Sequence, residues 1–156
     1  MAYSRPSVRL TSRAAPVGPE LLAAGVPADS GREKAAIIWV LPDREGISPR
    51  YDQKTFSDSE KRGRLRLIGS PDGREGSIVI HQDVEIFAAL LDAGDAVTHA
   101  LSAGRKGWVQ VVRGAGEVNG TPVRAGDGVA LEGEATLAVT SRASDAEFLV
   151  FDLPPQ

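Results

Sequence analysis

Two histidines carry most of the chemistry that this sequence could perform. His81 and His99 are the only histidines among 156 residues, and the chain contains no cysteine. Sites for first-row transition metals need several imidazole, thiolate or carboxylate ligands that converge from different elements. Because His81 and Asp83 would point to the same face of an extended segment, a site built from His81, His99 and Asp83 is geometrically possible.

This ligand supply is too small for us to expect a metal cofactor, although iron or another divalent transition metal is the alternative. In the simpler interpretation, His81 and Asp83 join a polar network at a strand end, and His99 makes one hydrogen bond in a hairpin or in the core. No serine lies in a nucleophile elbow. The segment Pro71-Asp72-Gly73 favours a turn with positive φ at Gly73. We therefore predict no catalytic residue in the chain.

Length and composition limit the possible function classes. A chain of 156 residues fits one domain with a tail. The net charge of -3 is spread over interspersed acids and bases, which gives no basic stripe for nucleic acid. No apolar run reaches the roughly 18 residues of a membrane span, and residues 21–26 are too few for a signal-peptide core. We expect a cytoplasmic protein that binds neither nucleic acid nor membrane.

The elements that must position the histidines are mostly strands. Residues 1–34 contain four prolines and no sustained period, which predicts an irregular or wrapping segment before a domain at 35–156. Asn119-Gly120 predicts a tight hairpin, and Ser57 with Glu60 predicts a capping box at the start of a short helix within 56–61. The remaining pattern is all-β, with turn signals at regular spacing. We predict strands at 36–41, 64–68, 77–81, 84–91, 96–101, 108–113, 116–119, 128–132, 135–140 and 146–152.

Some of these strands are apolar on both faces. Residues 84–91 and 148–151 therefore need cover beyond the interior of a barrel, from a second copy or from the N-terminal segment folded back. A two-layer sandwich with well-covered central strands is the alternative. We expect a homodimer that joins apolar outer faces.

Four side chains are candidates to line an interior pocket for a small apolar ligand, although filling by the barrel's own side chains is more common. They are Trp108, Val112, Val129 and Phe148.

A family resemblance follows from this layout. Residues 108–131 resemble the middle of a cupin barrel, with Gly114 at the closing glycine of the first motif and 125–128 (AGDG) at the turn of the second. Residues 35–153 resemble the C-terminal half of the pirin family, bicupins that include bacterial quercetin 2,3-dioxygenases. The matching segments are 38–42 (IWVLP), 47–53 (ISPRYDQ), 70–77 (SPDGREGS), 80–83 (IHQD), 108–112 (WVQVV) and 148–154 (FLVFDLP).

The resemblance implies a single cupin barrel, a double-stranded β-helix or jelly roll, over 35–156. It also implies that active members hold their metal, usually iron, with three histidines and a glutamate in the N-terminal cupin, which has no counterpart upstream of Ala35. On this barrel the cupin pattern puts His99 near the first ligand position, Leu101 at the second, 105–107 at the glutamate and Val129 at the last histidine. A truncated or recombined gene, or a misassigned frame over 1–34, would each leave this pattern.

Two main functions stay open. The first is a metal-free, pirin-like cupin that acts as a structural or interaction module without catalysis on its own. The second is a quercetin 2,3-dioxygenase-like oxidoreductase that cleaves a flavonol ring, with a metal at His81 and His99 or in a partner cupin chain. The eukaryotic relatives resemble transcription co-regulators, but no residue of this chain points there independently.

Overall fold

The structure is a computed structural model that describes residues 8–13, 43–46 and 51–155. Short strands dominate this part of the chain, and one short α-helix, α1, spans Asp58–Lys61. The strands are β1 Val8–Arg13, β2 Tyr51–Phe56, β3 Arg66–Ser70, β4 Ile78–Val79, β5 Glu85–Leu91, β6 Ala96–Ala100, β7 Lys106–Arg113, β8 Ala115–Val118, β9 Thr121–Arg124, β10 Gly128–Leu131, β11 Thr136–Ser141 and β12 Ala146–Leu153.

Two sheets pack face to face and form the barrel. The larger has the strand order β10-β7-β12-β5-β3-β4, and the smaller has the order β6-β11-β8-β9. Within them β3 and β4 run parallel, and the other paired strands run antiparallel. A separate pair joins β1 to β2. The all-β fold predicted from the turn spacing is confirmed, and the two packed sheets agree with the barrel that the resemblance implies.

The inner core lies between the two sheets and fills the barrel. Along β7, Val109 and Val111 are buried there, because alternate side chains of a strand point to one face. Phe148 is fully buried in this core, and Val129 packs against it. Gly114, at the end of β7, has φ +85 and lies so close to Ala146 that a Cβ would sit 2.7 Å from the alanine methyl. The closing glycine is therefore required both by its backbone angle and by close packing.

A second apolar cluster covers the outer face of the larger sheet. It contains outward side chains of β5 and β12, namely Ile86, Ala88 and Leu149, together with Phe56 from β2 and Val84. The strands that are apolar on both faces therefore receive cover from within the chain. This arrangement agrees with the sandwich alternative of well-covered central strands. The predicted homodimer is not tested by it.

Two of the four candidate pocket residues lie on the outer face, so the four side chains do not surround one interior space. Because Val109 and Val111 point inward, Trp108 and Val112 point outward. Val112 packs against the outer cluster, and Trp108 is 37% exposed. The sequence did not fix the face of β7, since both faces of that strand carry apolar residues.

Three strands of the described chain, β1, β2 and β9, were not among those predicted. Val8–Arg13 forms a strand with Tyr51–Phe56, so this part of the segment 1–34 is not irregular. The pattern of β2 is polar and gave no strand signal. Strand β9 contains Pro122, and it lies at the edge of the smaller sheet, where proline is tolerated. The predicted strand at 36–41 lies outside the described residues, and the boundary at residue 35 stays a prediction.

The local turn and cap predictions are confirmed. The capping box is present before α1, where the backbone N–H of Ser57 donates to the Glu60 carboxylate at 2.7 Å. Asn119 and Gly120 take φ values of 45 and 81 between β8 and β9, as a two-residue hairpin requires. Gly73 takes φ 68. Among the described residues, no helix is both long and apolar enough to cross a membrane.

Candidate functional site

Three side chains with metal-ligating atoms meet at one end of the barrel. They are Glu85 at the start of β5, His99 near the end of β6 and Asp152 near the end of β12. One ligand atom from each residue lies within 4.8 Å of the others. Because β6 belongs to the smaller sheet and β5 and β12 to the larger, the group bridges the two layers.

Strand alternation explains why these side chains point into the barrel. His99 lies between Val97 and Leu101, which both belong to the inner core. Asp152 follows Val150, another inner-core residue, at the same two-residue spacing. Glu85 is the direct cross-strand neighbour of Asp152, so the two share a face. The polar group therefore continues the apolar inner core at the point where the barrel opens.

Two arginines cap the carboxylates. Arg105 donates from Nε to Asp152 Oδ1 and from Nη1 to Asp83 Oδ2, the latter at 2.8 Å. Arg74 donates from Nη2 to Glu85 Oε1 at 2.5 Å. Like charges directly opposite each other in a sheet are destabilising, and each arginine offsets part of that repulsion. We call Glu85, His99 and Asp152, with Arg74 and Arg105, the barrel-mouth cluster.

These contacts keep both arginines charged. The hydrogen bond to Glu85 is the main reason that the pKa of Arg74 is raised. Partial burial lowers the pKa of Arg105, but its hydrogen bonds to Asp83 and Asp152 outweigh burial and raise it overall. The cluster therefore holds two fixed positive charges among its carboxylates.

His99 is held by a carboxylate and by an aromatic ring. Its Nε2 lies 2.7 Å from Asp152 Oδ2, and its ring centroid lies 4.8 Å from that of Phe87. The side chain is largely but not fully buried. A carboxylate on one ring nitrogen fixes the orientation of an imidazole, which is how many metal-binding and acid–base histidines are positioned.

The structure does not bring together the three residues that the sequence suggested as metal ligands. His99 is in the cluster, but its partners there are Glu85 and Asp152 in place of His81 and Asp83. His81 lies in the bend 81–83, where its backbone carbonyl accepts a hydrogen bond from the N–H of Asp43. Asp83 reaches the cluster through Arg105. The combination of His81, His99 and Asp83 that the sequence left geometrically possible is therefore not the one that the structure groups together.

Sequence reasoning missed Glu85 and Asp152 for an identifiable reason. Each lies near one end of a run that is apolar on both faces, so the sequence did not reveal which face is inner. The signal that could have revealed Asp152 was its place two positions after Val150, which itself lies two positions after Phe148. An inward charge at that spacing indicates a partner inside the barrel.

A cavity of about 250 Å³ lies beside the cluster. It is lined by two loops, 101–105 and 133–135, and shares Arg105 with the cluster. None of the four predicted pocket residues lines this cavity. The barrel interior that Phe148 and Val129 occupy is filled by side chains, which is the common outcome for a small barrel.

The comparisons with known proteins agree on one family. A family model described as the quercetinase C-terminal cupin domain matches residues 67–153. A quercetin 2,3-dioxygenase of Escherichia coli strain K12 is 36% identical over 129 residues, which is 83% of this chain and 54% of that protein. A putative quercetin 2,3-dioxygenase of Pseudomonas aeruginosa is 37% identical over 117 residues, which is 74% of this chain and 50% of that protein.

A solved structure is similar to the chain and supports the same family. The crystal structure of the bacterial pirin YhhW from Escherichia coli in complex with nickel(II) superposes with a TM-score of 0.70 at 39% identity, and the match covers 76% of this chain and 50% of that chain. The chain thus spans about half the length of the curated relatives that it matches.

Proposed function

The chain belongs to the pirin family as a quercetinase C-terminal cupin domain, and from that premise we propose that it acts as a structural and interaction module without catalysis of its own. One observation carries the proposal. Leu101 and Val129, which the cupin pattern places at ligand positions, pack in or against the apolar inner core. The described barrel therefore offers His99 alone at the four ligand positions of that pattern.

The electrostatics of the barrel also support a non-catalytic role. Oxygen chemistry at a mononuclear metal needs a ligand set that leaves open positions for substrate and oxygen. Here Arg105 occupies the space in front of Asp152, in the segment that the pattern assigns to the glutamate ligand. A guanidinium beside a ligand position opposes binding of a redox cation and any build-up of positive charge.

The outer face supplies a surface for a partner. Trp108 is the exposed large apolar side chain among the described residues, and its cross-strand neighbours are Phe151 and Ala130. We propose that this patch joins a second copy of the chain or a metal-bearing partner cupin. Light scattering on the purified chain should give twice the 16.4 kDa of one chain, and Trp108→Glu should give the single mass. A single mass for the unchanged chain at all concentrations would contradict the homodimer.

A second candidate is a quercetinase-like oxidoreductase. It is favoured by the relatives, several of which are named quercetin 2,3-dioxygenase, and by the relative that is in complex with nickel(II). For this chain it requires either a metal at the barrel mouth or a partner cupin that supplies one.

Oxygen uptake on quercetin separates the two candidates. The isolated chain should consume no oxygen with added iron, manganese, nickel or copper. Uptake by the isolated chain that is lost in His99→Gln would overturn the module proposal in favour of the enzyme. The measurement should be repeated with a metal-bearing cupin of the pirin family added as partner. The cytoplasmic location of the chain stays a prediction.

A further inference from the structure

We propose that Asn119 is a modification site, at which deamidation releases the hairpin of β8 and β9 from β11 and which the folded hairpin protects. Asn119 is the one asparagine of the chain, and Gly120 follows it. Asparagine is a thermally labile residue, and a following glycine, which has no side chain, leaves the next backbone nitrogen unobstructed. The structure adds what the sequence does not show, namely where the side-chain amide is held.

The Asn119 side chain joins the hairpin to the neighbouring strand. Its Oδ1 accepts a hydrogen bond from the backbone N–H of Ala138 at 2.7 Å, and its Nδ2 donates to the carbonyl oxygen of Thr136 at 2.9 Å. The regular pairing of β8 with β11 ends at Val118 and Val139, so the side chain continues it by two further hydrogen bonds. We call these two hydrogen bonds the Asn119 clamp.

The clamp matters because the hairpin has few other attachments to the sheet. Among the described residues, β9 is an edge strand that pairs with β8 alone. Strand β8 in turn pairs with β11 from Gly116 to Val118. The two side-chain hydrogen bonds therefore form a substantial part of the link between the hairpin and the rest of the smaller sheet.

Deamidation requires the side chain to leave this position. The backbone nitrogen of Gly120 loses its proton to solvent and bonds to Cγ of Asn119, the bond between Cγ and Nδ2 breaks, and the amide nitrogen takes a proton from solvent and leaves as ammonia. Water then opens the cyclic imide at either carbonyl carbon, which yields aspartate or isoaspartate. Each event consumes one water and releases one ammonia. Because β11 holds both Oδ1 and Nδ2 in the folded chain, ring closure follows only local opening of the hairpin.

Neither product restores the clamp. An ionised aspartate has two acceptor oxygens and no donor, so the carbonyl oxygen of Thr136 loses its partner and faces a second acceptor. Isoaspartate adds one carbon to the backbone of the turn, which needs the φ values of 45 and 81 at its two central residues. The reaction is therefore a one-way change that loosens one edge of the smaller sheet. It does not depend on whether the chain is a module or an enzyme.

Intact-mass spectrometry of the full chain, in mildly alkaline native buffer and in the same buffer with guanidinium chloride, tests the site. Each event raises the mass by about 1 Da, and the gain reports Asn119 because the chain has no other asparagine. We expect the gain to be at least about tenfold slower in native buffer, since the reaction waits for local opening. Asn119→Asp is the control that should show no gain. Equal rates in the two buffers, or an equal gain in Asn119→Asp, would overturn the proposal.

Thermal unfolding gives an independent readout of the clamp. Asn119→Asp reproduces the aspartate product and should lower the melting temperature, because a hydrogen bond is lost and two acceptors face each other. Thr121→Glu is the matched control, since it adds the same charge at an exposed position of the same hairpin outside the clamp, and it should lower the melting temperature less. A melting temperature of Asn119→Asp equal to that of the unchanged chain, or a decrease matched by Thr121→Glu, would also overturn the proposal.

Discussion

Strand β12 carries an acidic side chain near each end, and the two have opposite surroundings. Glu147 points to the outer face, where the buried Lys61 of α1 contacts it at 3.2 Å. Asp58 lies 3.5 Å from Lys61, and Arg113 lies 3.7 Å from Glu147. Two cations and two anions therefore balance in the Lys61 cluster, which we define by these four residues.

The barrel-mouth cluster at the other end of β12 is also balanced, with Glu85 and Asp152 against Arg74 and Arg105, but it is not closed. Glu85, His99 and Arg105 keep partial access to solvent. Each cluster takes one carboxylate from β12 and pairs it with cations from other elements. Their difference teaches that access to solvent, rather than net charge, separates a buried ion-pair cluster from one at the open end of the barrel.

Removing the buried lysine should give the largest effect. Lys61, 1% exposed, is the main partner of Glu147, and Lys61→Met leaves that carboxylate buried with only the distant Arg113. We expect the free energy of unfolding to fall by about 3 kcal/mol in urea denaturation. The double variant Lys61→Met/Glu147→Met should recover most of the loss. A loss of unfolding free energy below about 1 kcal/mol in the single variant would contradict a structural role for this cluster.

Neutralising Asp152 should have a smaller effect on stability. Asp152→Asn keeps the shape but weakens charged hydrogen bonds to Arg105 and His99, so we expect a loss of about 2 kcal/mol in the same assay. Asp83→Asn is the matched control, because its side chain is 61% exposed and its pair with Arg105 should contribute under about 1 kcal/mol. Equal losses in the two variants would contradict the assignment of Asp152 to the interior of the cluster.

The two clusters should contribute unequally to stability. His99→Gln should change the free energy of unfolding by about 1 kcal/mol or less in urea denaturation, since one partly exposed hydrogen bond is lost. A loss as large as that of Lys61→Met would contradict the comparison between the two clusters.

The smallest expected effect concerns the cap that positions Lys61. The backbone N–H of Ser57 is the main reason that the pKa of Glu60 is lowered in the folded chain. A carboxylate with a depressed pKa stabilises the fold above its unfolded pKa of about 4.3, and this contribution is lost as the pH falls through the folded value. The stability difference between the unchanged chain and Glu60→Gln should therefore shrink between neutral pH and acid pH in thermal unfolding. A difference that stays constant would contradict this origin.

Local chemistry made the turns and the cap predictable. Asn119-Gly120 and Gly73 need positive φ, and Ser57 with Glu60 satisfies the free N–H groups of a helix start; these requirements act over a few residues. The family could be predicted because its segments keep their order along the chain. Strands β2 and β9 could not, since a polar pattern and an edge proline hide a strand whose hydrogen bonds depend on a distant partner.

The sequence by itself determined the element types, the fold family and the alternation that places His99 on the same face as Val97 and Leu101. Only the tertiary structure decided that Glu85 and Asp152 are the partners of His99, in place of His81 and Asp83. The reason is strand register. The pairing of β5 with β12 and the packing of β6 across the barrel join residues that are far apart in the chain, and a shift of one residue would turn each side chain to the other face.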